Sequence, residues 1–192
     1  MTEIVVPKGV TQIERAAFSG CSNLLELTIP ENVTLIPNSM CVSCASLENI
    51  VIPDGVETIE SSAFFNAGLT SITLPSTITK INTNAFKGIQ LTSIKILAKT
   101  PPTITSSSFT SETQGKAVLE VPEESLSKYK ITDFWRNFVN IKKLDIATSI
   151  DSTIAEEPAE VEYYNILGVK VNNPTKGLYI KKCGNKAYKV ML

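Results

Sequence analysis

Hydrophobic residues recur over about the first 110 residues of the chain with a period of 22 or 23 residues. The clearest unit is a short segment in which apolar and polar residues alternate before a proline, as in Glu26–Pro30. Its equivalents are Glu3–Pro7, Asn49–Pro53, Ser71–Pro75 and, without the proline, Ser93–Leu97. This alternation predicts short β-strands, each ended by a proline that lacks an N–H donor.

Three further columns of residues repeat with the same period. They contain an isoleucine, a leucine and a large side chain that is phenylalanine in most units. The members are Ile13, Ile36, Ile59, Ile81 and Ile104; Leu24, Leu47, Leu69 and Leu91; and Phe18, Met40, Phe64, Phe86 and Phe109. Because Met40 replaces phenylalanine and lies nearer to the isoleucine column, we expect the second coil to be locally irregular.

No single unit of this length can be stable alone. At about 1.5–3 kcal/mol for each buried large apolar side chain, the core of one unit contributes on the order of 10 kcal/mol. Ordering its backbone costs about 1–2 kcal/mol per residue, which is a larger total. The columns therefore predict a stack of about five coils, a leucine-rich-repeat right-handed solenoid built mainly of short parallel β-strands with little helix.

The repeat is similar to the BspA-type (Treponema pallidum-like) leucine-rich repeat of bacterial surface proteins. The stretches FSGCSNLLELTIPENVTLI and AFFNAGLTSITLPSTITKINTNAFKG carry this resemblance, which runs from Glu3 to about Leu144. It includes the end of the array, where Pro101-Pro102, Tyr129 and Trp135 match the terminal unit of that family. The resemblance implies an extracellular or cell-surface protein that adheres to host matrix proteins or to other cells.

The segment after the last repeat is predicted to close the end of the stack. Pro122 followed by two glutamates favours the start of a short helix. Aromatic side chains are then expected to form an apolar cap: Tyr129, Phe134, Trp135 and Phe138. The alternative role for Trp135 is stacking on a ligand.

The sequence predicts three parts: the capped solenoid over 1–144, an acidic linker over 145–160 and a small β-hairpin domain over 161–192. Alternation around Gly168 and around Gly184-Asn185 indicates two antiparallel hairpins. The last part contains YNILG followed by GLYI, and it resembles the C-terminal sorting domain of Bacteroidetes secreted proteins. Its six lysines either keep it soluble or dock it to transport machinery or to the acidic linker.

Composition removes several classes of function. The chain has no histidine, which excludes histidine-based triads and metal sites, and its 18 basic and 19 acidic residues do not favour nucleic acid or an anionic membrane. No apolar run has the length of a membrane span. Carboxylates that could pair for glycosidic chemistry fall in predicted turns or at a helix start: Asp54, Glu57, Glu60, Glu123 and Glu124. We therefore predict no enzyme activity, no cofactor and no metal ion.

Cys21 and Cys44 occupy one repeat position in neighbouring coils. Adjacent strands lie about 4.8 Å apart, which suits a disulfide, but in-register side chains point the same way rather than at each other. We expect two buried free thiols. Cys41 and Cys44 have C-x-x-C spacing, yet the core position of Cys44 argues against a redox role.

The outward-facing strand positions are the candidate binding surface. They form two rows, Glu3, Glu26, Asn49, Ser71 and Ser93, and Val5, Thr28, Val51, Thr73 and Lys95. The favoured function is a non-catalytic module that binds a protein or a glycan through these rows. The alternatives are a structural spacer within a larger surface protein, with a merely solvated sheet, and a dedicated glycan-binding module with exposed aromatic side chains.

Overall fold

A computed structural model of the chain describes residues 2–144 and, beyond them, the strand segments 162–164, 170–171, 178–183 and 186–191. The chain divides into two compact units, Met1–Asp145 and Ile146–Leu192. The predicted linker, 145–160, lies outside the described residues.

Short parallel strands, usually two to each coil, build the first unit. In chain order they are β1 (Glu3–Val5), β2 (Glu26–Thr28), β3 (Leu35–Ile36), β4 (Asn49–Val51), β5 (Thr58–Ile59), β6 (Ser71–Leu74), β7 (Lys80–Ile81), β8 (Ser93–Ile96), β9 (Thr103–Ile104), β10 (Val118–Val121) and β11 (Asn140–Lys143). The front of the stack consists of two sheets, β1-β2-β4 and β6-β8-β10-β11, and the rear sheet has the order β3-β5-β7-β9. The predicted stack of parallel coils is confirmed, and β10 and β11 extend it by two strands that the repeat arithmetic missed.

Each front strand is placed by its alternating side chains. The central residues face inward and stack in register, as Ile72 does on Ile94 and Ile94 on Leu119. All three are buried. The proline after the strand begins a tight turn, in which, for example, the N–H of Val33 donates to the carbonyl oxygen of Pro30 at 3.1 Å. The sequence expectation for strand and proline is therefore confirmed.

A third ladder of hydrogen bonds, which we call the turn-side ladder, joins neighbouring coils where the chain turns back from the rear sheet to the front. Alternate N–H groups donate to the next coil, as Asn66 does to Lys87 at 3.0 Å. This geometry gives several residues a positive backbone φ, in the left-handed region. They form two columns: Ala16, Ser39, Ser62 and Asn84, and Gly20, Ser43, Asn66 and Gly88. Small residues, asparagine and glycine occupy these positions because they tolerate positive φ better than bulky residues do.

The assignment of Met40 to the phenylalanine column is wrong. In the turn-side ladder, the N–H of each phenylalanine donates to the carbonyl oxygen of the residue just before the phenylalanine position of the next coil. Phe64, for example, donates to Ala85, which precedes Phe86. Phe18 donates to Met40 and Cys41 donates to Ala63, so Cys41 occupies the phenylalanine position of the second coil. Both Met40 and Cys41 are buried, and the coil keeps the register of its neighbours.

The irregularity lies one coil later, between β4 and β6. These neighbouring front strands belong to separate sheets, and the third coil is one residue shorter than the second just before its leucine, Leu69. Gly68 fills the shortened segment and donates its N–H to the carbonyl oxygen of Cys44 at 3.0 Å. A Cβ at this position would overlap the carbonyl oxygen of Ala45, so the close approach requires glycine.

Two short helices and the last two front strands close the stack. Helix α1 (Ser111–Lys116) precedes β10, and a 3₁₀ turn (Glu123–Ser125) leads into α2 (Leu126–Ile131), where the sequence predicted a short helix. The side chain of Thr110 caps α1 by accepting the N–H of Thr113 at 3.1 Å.

The aromatic cap forms as expected, except at one residue. Phe64, Phe86 and Phe109 stack at centroid distances of 5.4 and 5.0 Å, and Trp135 and Phe138 cover the end of this column. Phe134 was expected in the cap, but its φ of 63° turns it outward and it is 37% exposed.

The second unit contains an antiparallel sheet. Its strands are β12 (Glu162–Tyr164), β13 (Lys170–Val171), β14 (Leu178–Cys183) and β15 (Lys186–Met191), in the order β13-β12-β14-β15. The antiparallel pairs β12–β13 and β14–β15 agree with the predicted β tail. The predicted turn residues Gly168 and Gly184-Asn185 lie outside the described residues.

Candidate functional site

The two rows of candidate binding residues lie side by side on the front of the solenoid, which we call the strand face. Within each sheet the structure sets them in register: Glu3, Glu26 and Asn49; Val5, Thr28 and Val51; Ser71 and Ser93; and Thr73 and Lys95. Ser93, Thr28 and Lys95 are half-buried and the others are exposed. The break between β4 and β6 divides this face into a first and a second half.

The first half of the strand face is apolar at its centre. Val5 and Val51 are 60% and 57% exposed, although valine is usually buried. With Thr28 between them they line a depression of about 660 Å³ that Pro30 and Pro53 also border. At the starts of β2 and β4, Asn49 Nδ2 donates to Glu26 Oε1 at 3.5 Å.

The second half of the strand face is more polar and partly paired. Lys95 Nζ lies 3.7 Å from Glu120 Oε2, and both side chains are at least two-thirds covered. Lys95 is therefore held by the sheet itself rather than free for a partner. Sequence reasoning missed Glu120 and its row neighbour Lys142 because it ended the repeat at β8, although VLEV and NIKK show the same alternation.

Three of the five carboxylates considered for catalysis are engaged by neighbouring side chains. Glu60 Oε2 accepts a hydrogen bond from Asn82 at 3.1 Å, and Glu123 and Glu124 pair with Lys143 and Lys99. A hydrogen bond from its own backbone N–H, and then one from Lys99, lower the pKa of Glu124. A general acid needs the opposite shift.

Three of the four cysteines are described, and all three are free thiols. Cys44 is buried as expected, but Cys21 is half-exposed because it lies in the first coil of the structure. Cys44 Sγ donates to the carbonyl oxygen of Phe18 at 3.1 Å. A hydrogen bond with Cys44, together with burial, raises the pKa of Cys41, which disfavours the reactive thiolate. Cys183 has no described side chain.

Trp135 is a structural residue. Its ring is fully buried, and Nε1 donates to the carbonyl oxygen of Pro102 at 2.7 Å. Tyr129 is buried beside it and donates to Ala98 at 3.0 Å. A ligand cannot stack on Trp135, so the cap interpretation is confirmed. Tyr163 and Tyr164 of β12 are the other aromatic candidates for stacking on a glycan, and their side chains lie outside the described part of the structure.

Within the part of the chain that the structure describes, no group of three or more Cys, Asp or Glu side chains could hold a metal ion. In the same part, every helix is too short or too polar to cross a membrane.

Comparison with known families agrees with this geometry. The model of the BspA type leucine rich repeat region matches residues 1–116 and 34–156, which together cover most of the chain. The chain belongs to the BspA-type leucine-rich repeat family. Family membership accounts for the columns of apolar residues and for the parallel coils.

Solved structures show the same fold. A leucine-rich repeat protein of T. pallidum has a TM-score of 0.58 at 22% identity, over 74% of this chain and 69% of that one. The pneumococcal vaccine antigen PcpA gives 0.53 at 18% identity, over 76% and 42%. A leucine-rich repeat protein of Bacteroides ovatus gives 0.50 at 24% identity, over 65% of this chain and 40% of that one.

This chain therefore matches less than half the length of the Bacteroides ovatus and pneumococcal proteins. A search of curated proteins found no significant match.

Proposed function

We propose that this chain is a non-catalytic interaction module of a secreted or cell-surface protein, and that it adheres to a partner protein through the strand face. The exposed valines at the centre of the first half, Val5 and Val51, carry this proposal. Exposed apolar groups on a rigid, paired sheet can be buried by a partner at little cost in conformational entropy. A spacer has no need for such groups at the middle of its face.

Protein rather than glycan is the favoured partner. Glycan sites rely on exposed aromatic rings, and on the strand face of residues 2–144 the outward positions hold aliphatic, hydroxyl, amide and charged side chains instead. Family membership supports a host matrix protein or another cell-surface protein as the target, since leucine-rich repeat proteins bind other proteins.

The direct test measures binding of the full chain to a panel of purified host matrix proteins by surface plasmon resonance. Thr73→Glu adds charge at an exposed front position, and Thr103→Glu does the same on the rear sheet. Lys95→Glu is a weaker probe, because it also breaks the ion pair with Glu120. We expect at least one matrix protein to bind, and Thr73→Glu alone to reduce that binding. No binding, or equal effects of the two threonine variants, would contradict the proposal.

We also propose that residues 161–192 serve in export or attachment. The supporting observations are the YNILG and GLYI motifs and the antiparallel sheet of the second unit. Deletion of 161–192 in a Bacteroidetes host should abolish surface display, measured by antibody labelling of intact cells. Unchanged labelling would show that these residues are dispensable for export.

A further inference from the structure

The depression on the first half of the strand face has the form of a docking groove for an extended segment. Val5, Thr28 and Val51 are direct neighbours in register, so their side chains form a row about 10 Å long across three strands. β-Branched side chains have few accessible rotamers and lose little freedom on binding. The row therefore offers a preformed apolar floor.

Carboxylates flank this floor on both sides. Glu3 and Glu26 stand at the starts of β1 and β2, and they are direct partners in the ladder, where like charges repel. Glu31 and Asp54 border the groove beyond the strand ends, where Lys8 is the one basic lining residue. All five side chains belong to exposed residues.

The charge of the solenoid is strongly divided, although its total is close to zero. Residues 1–60 contain eight acidic and two basic residues, a net charge of 2 − 8 = −6. Residues 61–144 contain five acidic and ten basic residues, a net charge of 10 − 5 = +5. An acidic field at the groove attracts cations and raises their rate of association.

Within residues 2–144, the acidic residues of the segment 1–60 form no ion pairs. Among side chains of residues 2–144, the ion pairs all lie between Lys95 and Lys143. Glu26 accepts one long hydrogen bond from a neutral amide, and no ion pair within this range involves Glu3, Glu31 or Asp54. A partner with basic side chains would neutralise these groups without breaking an existing pair.

We propose that this groove binds an extended segment of a partner protein in which aliphatic side chains alternate with lysine or arginine. The aliphatic side chains pack on Val5, Thr28 and Val51. The basic side chains between them leave the extended backbone on its other side, and their long stems curve back past its edges to the carboxylates on either side. This inference rests on the proposed function of the strand face and specifies the partner chemistry that its first half selects.

The test is a fluorescence-anisotropy titration of the full chain with a labelled peptide of alternating lysine and valine, beside a matched glutamate–valine peptide. Val51→Ser removes one floor side chain, and Leu35→Ser makes a comparable change at an exposed residue of the rear sheet. Glu26→Gln removes one flanking charge, and Glu57→Gln removes a charge from another exposed residue, just before rear strand β5.

We expect the lysine–valine peptide to bind and the glutamate–valine peptide not to bind. Val51→Ser should weaken binding by about tenfold, as the loss of one buried valine predicts. Glu26→Gln should weaken it about two- to fivefold at low salt and by less as added salt screens the charge. Leu35→Ser and Glu57→Gln should bind as the wild type does.

Three results would overturn this inference: no binding of the lysine–valine peptide, equal binding of both peptides, or equal effects of the front and rear substitutions. The matrix-protein assay separates this failure from a failure of the proposed function. If a matrix protein binds in a manner sensitive to Thr73→Glu while the peptide does not bind, the strand face is the binding surface but its partner has a different chemistry.

Discussion

At the scale of single residues, the close backbone approach at Gly68 lies where the chain passes from the first front sheet to the second. The third coil is short by one residue and lies against the carbonyl of Ala45, where a Cβ has no space. The neighbouring Asn66 and Gly88 use positive φ to make the turn-side ladder instead. Lack of space for a Cβ therefore explains Gly68, whereas the need for a positive φ explains Asn66 and Gly88.

Gly68→Ala should destabilise the protein by about 1–3 kcal/mol, because the neighbouring backbone must move to admit the methyl group. Gly115→Ala, in helix α1, meets open space and should be neutral or slightly stabilising. Urea unfolding monitored by the fluorescence of Trp135 measures both changes. Equal midpoints for the two variants would show that the close approach at Gly68 is absent.

Tyr129 gives stability a dependence on alkaline pH. Burial raises the pKa of its phenol above the ordinary value of about 10. The unfolded chain then releases this proton more readily, so the contribution of Tyr129 is full below about pH 10 and is lost as the pH rises further.

Tyr129→Phe should cost about 1 kcal/mol at neutral pH, since it removes the hydrogen bond to Ala98. Above pH 10, the stability of this variant should fall less steeply than that of the wild type, in urea midpoints measured from pH 8 to 11. Parallel slopes would mean that the pKa of the Tyr129 phenol is the same in the folded and unfolded protein, against the expected effect of burial.

At the scale of elements, the stacked phenylalanines hold successive coils together. Phe86 lies between Phe64 and Phe109 with interplanar angles of 12° and 10°. Offset stacking adds to the burial of each ring. The column does not extend to the second coil, where Cys41 takes the phenylalanine position.

Phe86→Ala should therefore cost about 3–5 kcal/mol of unfolding free energy, through lost burial and a cavity. Ile131→Ala, at a residue of α2 that is 76% exposed, should change stability by no more than about 0.5 kcal/mol. Chemical denaturation separates the two, and a small effect at Phe86 would contradict the stacked core.

The sequence predicted some of these elements and missed others, because they depend on different interactions. Front strands and inward residues depend on alternation, which is visible in residues 3–97. The turn-side ladder depends on backbone hydrogen bonds, which the sequence does not show. Met40 was therefore assigned to the phenylalanine column by its size, although the hydrogen bonds put Cys41 at that position. The strand-face rows were predictable, but the ion pair of Lys95 was not, because its partner strand β10 follows a helix that interrupts the period.

At the scale of the whole molecule, the first unit is a one-dimensional stack in which each coil contacts its neighbours. Strand β8 is bonded on both sides, to β6 and β10, whereas β1 pairs only with β2 in its sheet. Opening of an outer coil disrupts one interface and opening of an inner coil disrupts two.

Amide hydrogen exchange should therefore be slowest in β8 and clearly faster in β1 under native conditions. Mass spectrometry of proteolytic fragments, or NMR, measures this gradient. Equal protection of the two strands would show that the stack unfolds only as one cooperative unit.

The central claim is that the strand face is the binding surface. Four threonines give matched substitutions: Thr28 on the first front sheet and Thr58 on the rear sheet are half-buried, and Thr73 on the second front sheet and Thr103 on the rear sheet are exposed. The deciding measurement is the affinity of each Thr→Glu variant for a matrix protein that binds the wild type. We predict that Thr28→Glu and Thr73→Glu weaken binding while Thr58→Glu and Thr103→Glu do not, and loss of binding in the rear variants with none in the front variants would contradict the account.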